Sequence, residues 1–213
     1  MKKEFVAVQV VVLVVFSAAL GGMIVFSGVY DEVYSNIVSV TCLSCIKLQP
    51  ATNIKFSFDT NNGKAHPDFV IENLSNGPVF LAYRTIVCDF CDEMDPVLEE
   101  IFEVNYTVED PLVVKTKEFN GTSVTFIHIN KDLVSDDLKN TQAIYANKGQ
   151  ETLVPMFTVI TVNYNRGKGK VTPYYGTAYG TLKKDTYEDR KAEVTKMIDD
   201  GIRLYNEFSA GYN

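Results

Sequence analysis

The sequence has little of what marks nucleic-acid-binding proteins or disulfide-stapled mini-proteins. Lys and Arg (20) are outnumbered by Asp and Glu (27), and the formal net charge of −7 gives no electrostatic attraction to phosphate backbones or anionic lipid. Four cysteines in 213 residues are too few for a disulfide framework, and a chain of this length with 46% hydrophobic residues can bury a core without one. The composition argues against a polynucleotide-binding protein and predicts a globular domain of ordinary size.

A long uncharged run lies near the amino end. Residues 5–30 (FVAVQVVVLVVFSAALGGMIVFSGVY) carry no formal charge, and as a helix rising about 1.5 Å per residue they would extend about 39 Å, enough to cross a bilayer. Lys2 and Lys3 precede the run and two acidic residues follow it. The positive-inside rule therefore predicts a membrane anchor, residues 1–30, with a cytoplasmic amino terminus and an extracytoplasmic carboxyl-terminal domain.

A cleaved secretory signal is the alternative interpretation of this run, because the small residues 17–19 would suit a signal peptidase. The apolar part of such a signal usually has about 7–15 residues, whereas this one continues to Phe26. In both cases the rest of the chain is predicted to be exported, where disulfides persist. Three Asn-x-Ser/Thr sequences agree with export as possible glycosylation sites: Asn73, Asn105 and Asn120.

The exported part is predicted to be one domain preceded by a stalk. Residues 31–49 are interpreted as the juxtamembrane stalk, and no repeat, proline-rich linker or charge block divides residues 50–213. The hydrophobic pattern predicts alternating strands and helices, and hence an α/β fold. Strands are predicted at residues 54–58, 79–87, 124–129, 156–162 and 171–175, helices at 67–74, after Cys91 through Phe102, at 136–146 and from Asp185 to Phe208, and a polar excursion at 104–122.

The four cysteines form two Cys-x-x-Cys pairs, Cys42/Cys45 and Cys88/Cys91, a clustering that random placement would rarely produce. The second pair lies where the predicted strand 79–87 leads into a predicted helix. Unpaired N–H groups and the dipole at the start of that helix would stabilise a thiolate on Cys88. Cys88 is therefore the expected nucleophile, and Cys91 the thiol that resolves the mixed disulfide. Such pairs also occur in zinc sites and as inert structural bridges.

The order of several features resembles the thioredoxin superfamily over about residues 50–208. The strand VFLAYRTIV runs into CDFC, Pro96 follows five residues after the second cysteine, and Val154-Pro155-Met156-Phe157 precedes a predicted strand. A hairpin and a terminal helix close the chain, as they do in that family.

This resemblance implies a three-layer α/β fold with a central mixed sheet and a redox-active Cys88/Cys91 pair. It also implies that Val154 and Pro155 form a cis-proline loop, which lies against the disulfide and helps to hold an extended substrate segment. The implied function is a thiol–disulfide oxidoreductase that needs no cofactor and acts on protein thiols or disulfides.

The sequence departs from the family pattern around the cysteines. Ala82 stands where thioredoxins carry a buried carboxylate, and the lysine usually near it is replaced by an apolar residue, which we interpret as Phe126. Carboxylates also crowd the pair, each opposing a thiolate by about as much as the helix dipole favours one: Asp89, Asp92, Glu93 and Asp95. The direction of electron flow therefore stays open, although export favours oxidation or isomerisation of partners.

The pair Cys42/Cys45 lies a dozen residues beyond the predicted membrane segment. It could pass electrons between a membrane-embedded partner and Cys88/Cys91. A local structural disulfide or an inert pair is the simpler interpretation, because no strand-to-helix pattern accompanies it. A third interpretation has all four cysteines bind one zinc ion.

The prediction for the whole chain is an exported, membrane-tethered oxidoreductase acting through Cys88 and Cys91. The alternative is a non-catalytic surface or assembly module of the same fold, in which the disulfides are structural. The only two histidines, His66 and His128, lie far apart in sequence. A nucleophile activated by His128 is conceivable, but a core or surface histidine is the preferred interpretation.

Overall fold

Six strands form one mixed sheet in residues 54–212, the part of the chain that this computed structural model describes. Their order across the sheet is β1-β6-β5-β2-β4-β3. Neighbours β2 and β4 are parallel, and the other neighbouring pairs are antiparallel. The strands are β1 (Phe56–Ser57), β2 (Val79–Arg84), β3 (Leu112–Phe119), β4 (Thr122–Asn130), β5 (Met156–Asn165) and β6 (Lys170–Tyr179).

Helices cover both faces of this sheet, so the predicted α/β class is confirmed. The helices are α1 (Asp68–Leu74), α2 (Asp89–Phe102), α3 (Asp136–Lys139), α4 (Gln142–Tyr145) and α5 (Tyr187–Phe208), with 3-10 turns at Asn61–Gly63 and Ser209–Gly211. Apolar residues of α2 and α5 pack on one face, and those of α1 and α4 pack on the other. None of the helices within residues 54–212 has the length and apolarity to span a bilayer. The predicted anchor and stalk lie outside the described residues.

Strand β2 lies in the middle of the sheet, and all six of its residues are buried. Side chains alternate between faces along a strand, and Phe80 and Ala82 belong to the core under α2 and α5. Val79, Leu81 and Tyr83 belong to the core on the opposite face. Arg84 follows the first set and contacts carboxylates of α2. A single charged side chain thus ends an otherwise uncharged buried strand.

Strand β3 contradicts the predicted polar excursion at residues 104–122. Its sequence, LVVKTKEF, is half polar. This composition suits an edge strand, which has much of its surface exposed. It pairs along its length with β4 through a turn at Asn120 and Gly121, whose φ angles are 50° and 84°. Asn-Gly suits such a turn, since both positions require positive φ.

Two helix predictions also need correction. The helix expected at residues 136–146 is two short helices, because Asn140 and Thr141 close the first turn and the Thr141 hydroxyl donates to the Leu138 carbonyl at 2.5 Å. The last helix is capped one residue later than the expected Asp185, by Thr186. Its Oγ1 accepts from the backbone N–H of Asp189 at 3.1 Å, which satisfies an otherwise unpaired helix-terminal donor.

Candidate active site

Cys88 and Cys91 form a disulfide at the first turn of α2. Cys88 is the N-cap residue, and its Sγ accepts a hydrogen bond from the backbone N–H of Cys91 at 3.2 Å. Cys88 is half-buried, whereas Cys91 is fully buried at 0% exposure. Of the two bonded cysteines, Cys88 is therefore the more exposed to solvent.

The loop of Val154 and Pro155 leads into β5 at the same end of the sheet at which β2 ends before Cys88. Strand β5 runs antiparallel to β2, and its first residue, Met156, lies opposite Tyr83. The Val154–Pro155 peptide bond is cis. The buried side chain of Gln142 fixes the preceding turn, because its Nε2 donates to the Leu153 carbonyl at 2.7 Å.

Exposed apolar side chains flank the disulfide and the loop. Val87, directly before Cys88, is 87% exposed, and Ile86 and Phe90 are 44% and 56% exposed. Leu153, just before the Val154–Pro155 bond, is 46% exposed. The backbone N–H of Ile86 donates to Asp132 Oδ2 at 2.9 Å, which anchors the segment between β2 and Cys88. We call the side chains of Ile86, Val87, Phe90 and Leu153 the apolar rim.

Three of the four carboxylates around the cysteines are paired with arginines. Arg84, itself buried, contacts Asp92 at 2.9 Å and also Asp95. Glu93 pairs with Arg190 of α5. Asp89 forms no ion pair with any residue in 54–212. The electrostatic opposition to a Cys88 thiolate is therefore smaller than the sequence suggested, since paired carboxylates are partly neutralised.

Asp95 lies at the centre of a buried polar cluster. The Tyr106 hydroxyl donates to its Oδ1 at 3.1 Å, and His128 Nε2 lies 3.9 Å from the same oxygen. The rings of Tyr106 and His128 are 4.2 Å apart between centroids. Burial raises the pKa of Asp95 to about 6, against the opposing effects of Arg84 and the Tyr106 hydrogen bond. Burial, with a smaller effect from Arg84, lowers the pKa of His128 to about 4, so this histidine is neutral at physiological pH.

Sequence reasoning missed most of this cluster. His128 is a core histidine, as preferred, but it lies beside Ala82 in the parallel register, whereas Phe126 lies beside Phe80. His128 thus occupies the position directly beside Ala82, and the interpretation that Phe126 replaces the family's lysine stays a prediction. One signal was available: Arg84 is the only charge in VFLAYRTIV and is followed by an acidic helix, a combination that predicts a strand-to-helix ion pair.

The other predicted site residues are placed as follows. Asn120 and Asn105 are exposed, the former at the β3–β4 turn, whereas the Asn73 amide donates to the Phe69 carbonyl within α1 at 2.7 Å. Cys42 and Cys45 lie outside the described residues. Within residues 54–212, no group of three or more His, Cys, Asp or Glu side chains is arranged to hold a metal ion.

The site is therefore a disulfide between a half-buried and a fully buried cysteine. The helix that begins there also carries Asp95, a carboxyl group of raised pKa. Comparison of the chain with protein-family models, with curated proteins and with solved structures finds no match.

Proposed function

We propose that the chain is an exported, membrane-tethered thiol–disulfide oxidoreductase of the thioredoxin-like type. It exchanges disulfides with protein partners, Cys88 being the nucleophile and Cys91 the resolving thiol. The observation that carries the proposal is the unequal exposure of two bonded cysteine residues at a helix N-terminus: Cys88 is half-buried and Cys91 is fully buried. A purely structural cross-link requires no such asymmetry.

The environment of Cys88 also supports this role. An N-cap sulfur that accepts the Cys91 N–H is stabilised as a thiolate, because the unpaired donors and positive end of the helix dipole favour negative charge there. Ion pairing of Asp92, Glu93 and Asp95 reduces the opposing field. A thiolate of lowered pKa is both a better-populated nucleophile and a better leaving group.

The apolar rim supports a protein as the partner. Exposed apolar side chains close to a reactive group commonly mark interaction surfaces, and here they are neighbours in sequence of Cys88 and of the Val154–Pro155 bond. An extended segment carrying a cysteine could lie across the loop and place its sulfur against Cys88. The tether is proposed from the uncharged run at residues 5–30, and a membrane-embedded redox partner for Cys42/Cys45 from its proximity to that run.

The proposal is tested with the full-length chain in cells that carry out disulfide formation. Cys91→Ala should trap mixed disulfides through Cys88, visible as adducts on non-reducing gels that disappear on reduction. Cys88→Ala is the matched control, because it leaves a sulfur at Cys91 that partners cannot reach, and it should give no adducts.

A second measurement separates the enzyme from a structural module. The purified full chain in detergent is equilibrated with glutathione buffers, and the Cys88–Cys91 disulfide is followed by thiol alkylation. Reversible opening under native conditions supports exchange. A bond that resists excess reduced glutathione, together with the absence of adducts in Cys91→Ala, would favour the non-catalytic assembly module.

A further inference from the structure

His128, which is buried, and Asp95, which is half-buried, are ionisable groups to which the exchange described above assigns no proton. His128 is completely buried, and neither of its ring nitrogens has a hydrogen-bond partner among residues 54–212. A buried polar group without a partner costs about 1–3 kcal/mol. Its Nε2 lies 3.9 Å from Asp95 Oδ1. A buried histidine without a hydrogen bond, beside a half-buried carboxyl group, is costly if the cluster serves only to join a strand to a helix.

The helix places Asp95 next to the buried sulfur. Asp95 follows Cys91 by four residues in α2, so the two side chains lie on the same face, with Cβ atoms about 5–6 Å apart. Both belong to the side of α2 that faces the sheet, where Cys91 is fully buried and Asp95 contacts Arg84 of β2. Asp92, by contrast, has a side chain that is 67% exposed.

Surrounding groups hold the carboxyl group in this position. Arg84 binds Oδ2, and the Tyr106 hydroxyl donates to Oδ1. Tyr106 is held in turn, because its backbone N–H donates to Glu99 Oε1 at 3.0 Å. The carboxyl group is therefore held by two partners, one helical turn after Cys91, and a group that transfers protons needs to be positioned in this way.

We propose that Asp95 accepts the proton of the Cys91 thiol when Cys91 resolves a mixed disulfide, directly or through one water molecule. His128 acts as a positioning residue whose neutral ring faces Asp95. This inference rests on the proposed function, and it assigns the proton that the exchange must move.

The step balances as follows. With a partner sulfur bonded to Cys88, the Cys91 proton moves to Asp95 and the Cys91 thiolate attacks Cys88 Sγ. The Cys88–Cys91 bond forms, the bond from Cys88 to the partner breaks, and the partner sulfur leaves as a thiolate. In this step Cys91 is oxidised from thiol to disulfide and the partner sulfur is reduced to a thiolate; over both steps the cysteine pair loses two electrons and the partner disulfide gains them. In the reverse direction, Asp95 returns the proton to Cys91 as that sulfur leaves.

The ionisation of Asp95 suits both directions. Its raised pKa, about 6, leaves mainly the carboxylate at neutral pH with a minor protonated fraction. Charged and titratable groups face Asp95 and His128 from every element packed against them: Arg84 from β2, Asp92 and Glu99 from α2, Tyr106 and Asp110 from the segment after α2, and His128 from β4.

The test follows the two steps separately in the full chain in detergent, with Cys42→Ser and Cys45→Ser present so that only one pair reacts. The reduced protein is mixed with an aromatic disulfide whose thiolate is coloured. The first thiolate is released in a step proportional to reagent concentration, when Cys88 forms the mixed disulfide. The second is released in a concentration-independent step, when Cys91 resolves it.

Asp95→Asn should leave the first step within about threefold of the parent and slow the second about 100-fold or more at pH 7. The parent resolution rate should rise up to about pH 6 and then level off. The variant rate should instead rise about tenfold per pH unit towards pH 9, because hydroxide must then generate the Cys91 thiolate. A merely structural role would not change the pH profile in this way.

Asp92→Asn is the matched control, because it removes a carboxylate from the same helix and the same arginine but at an exposed position. At pH 7 it should resolve close to the parental rate, and the midpoint of its profile should move downward, because the Asp92 charge raises the Asp95 pKa. Tyr106→Phe provides a second measurement, since loss of a hydrogen bond that lowers the Asp95 pKa should move the midpoint of the resolution profile upward.

Each outcome decides a different claim. Mixed disulfide formation followed by parental resolution in Asp95→Asn overturns the proton transfer and leaves the proposed function standing. No thiolate release from the parent overturns both. If Asp95→Asn does not fold, an unchanged midpoint in Tyr106→Phe overturns the proton transfer by itself.

Discussion

The layer between the sheet and α2 has two halves of opposite chemistry. In the apolar half, Phe102 stacks on Phe126 with ring centroids 4.4 Å apart and also contacts Phe80. Further along the same strands, the same face carries His128, two residues after Phe126, and Arg84, four residues after Phe80. We call this second group, with Asp95 and Tyr106, the polar half.

The contrast shows what each half contributes. The apolar half contains only carbon-rich side chains, whose burial stabilises the fold without directional requirements. The polar half buries an ion pair and an unsatisfied histidine, which contribute little net stability or oppose it. It lies at the end of β2 that leads to the disulfide. The polar groups that contribute little to stability therefore lie near the disulfide where chemistry is proposed, and the aromatic side chains that stabilise the fold lie farther from it along the same strands.

The largest expected effect comes from the apolar half. Phe102→Ala should lower the free energy of unfolding by about 3–5 kcal/mol, because it removes a fully buried ring from three aromatic neighbours. Phe90→Ala is the control on the same helix, and it should change stability by less than about 0.5 kcal/mol because Phe90 is exposed. Urea unfolding of the full chain in detergent measures both, and equal losses would remove the distinction between core and rim.

We expect the polar half to make the free energy of unfolding depend on pH. Asp95 binds its proton more tightly in the folded state, so protonated Asp95 stabilises the fold below about pH 4, and this stabilisation is lost as pH rises through about 6. His128 binds its proton less tightly when folded, so its contribution is present above about pH 6.5 and is lost as pH falls towards 4. Each amounts to about 3 kcal/mol, and the two slopes oppose each other.

Single variants should expose these slopes. Relative to the parent, Asp95→Asn should make stability rise more steeply between pH 4 and 6.5, and His128→Phe should make it fall between pH 4 and 6. Urea midpoints at a series of pH values provide the measurement, with exposed Asp137→Asn as control. Profiles of both variants that run parallel to the parent would show that neither group titrates as described.

A smaller effect is expected where α5 approaches β5. A Cβ on Gly201 would lie 2.6 Å from Val159 Cγ2, so Gly201→Ala should destabilise by about 1–3 kcal/mol although alanine favours helices. Val159→Ala in the same chain should recover part of the loss, and thermal unfolding of the double variant tests this coupling. Strictly additive losses would place the strain elsewhere.

The smallest effect concerns one hydroxyl in the polar half. Tyr106→Phe should cost about 1 kcal/mol, because it removes the donor to a buried carboxyl group. Tyr187→Phe is the matched control, since its hydroxyl bonds Glu100 at the surface and should matter less. If the two variants lose the same stability in urea, the burial of the Asp95 cluster contributes nothing specific.

Much of the fold could be predicted from the sequence, because long apolar patterns report burial directly. Strand β2 and helix α2 follow from such patterns. The position of the cysteine pair at the start of α2 follows from them as well, because the pair comes directly after the apolar run. Strand β3 could not be recognised from alternation alone, since an edge strand exposes much of both faces. The Asn120-Gly121 turn was the missed signal, because the same residues were interpreted as a glycosylation sequence.

The candidate site divides in the same way. Cys88, Cys91 and the Val154–Pro155 loop are visible as short motifs, whereas the Asp95 cluster depends on strand register. His128 comes to lie beside Ala82 only because β2 and β4 are parallel in one particular register, and Tyr106 arrives from an irregular segment. Pairings between distant segments require tertiary information that spacing along the chain does not contain.

Helix α2 begins at the sulfur that is proposed to react. The Cys91 N–H donates both to Cys88 Sγ at 3.2 Å and to the Cys88 carbonyl at 2.9 Å, so a change in the bonding or charge of that sulfur should change the surroundings of this amide. Solvent exchange of the Cys91 amide hydrogen is therefore a built-in reporter of the chemical state of Cys88, readable by spectroscopy without a label or a substrate.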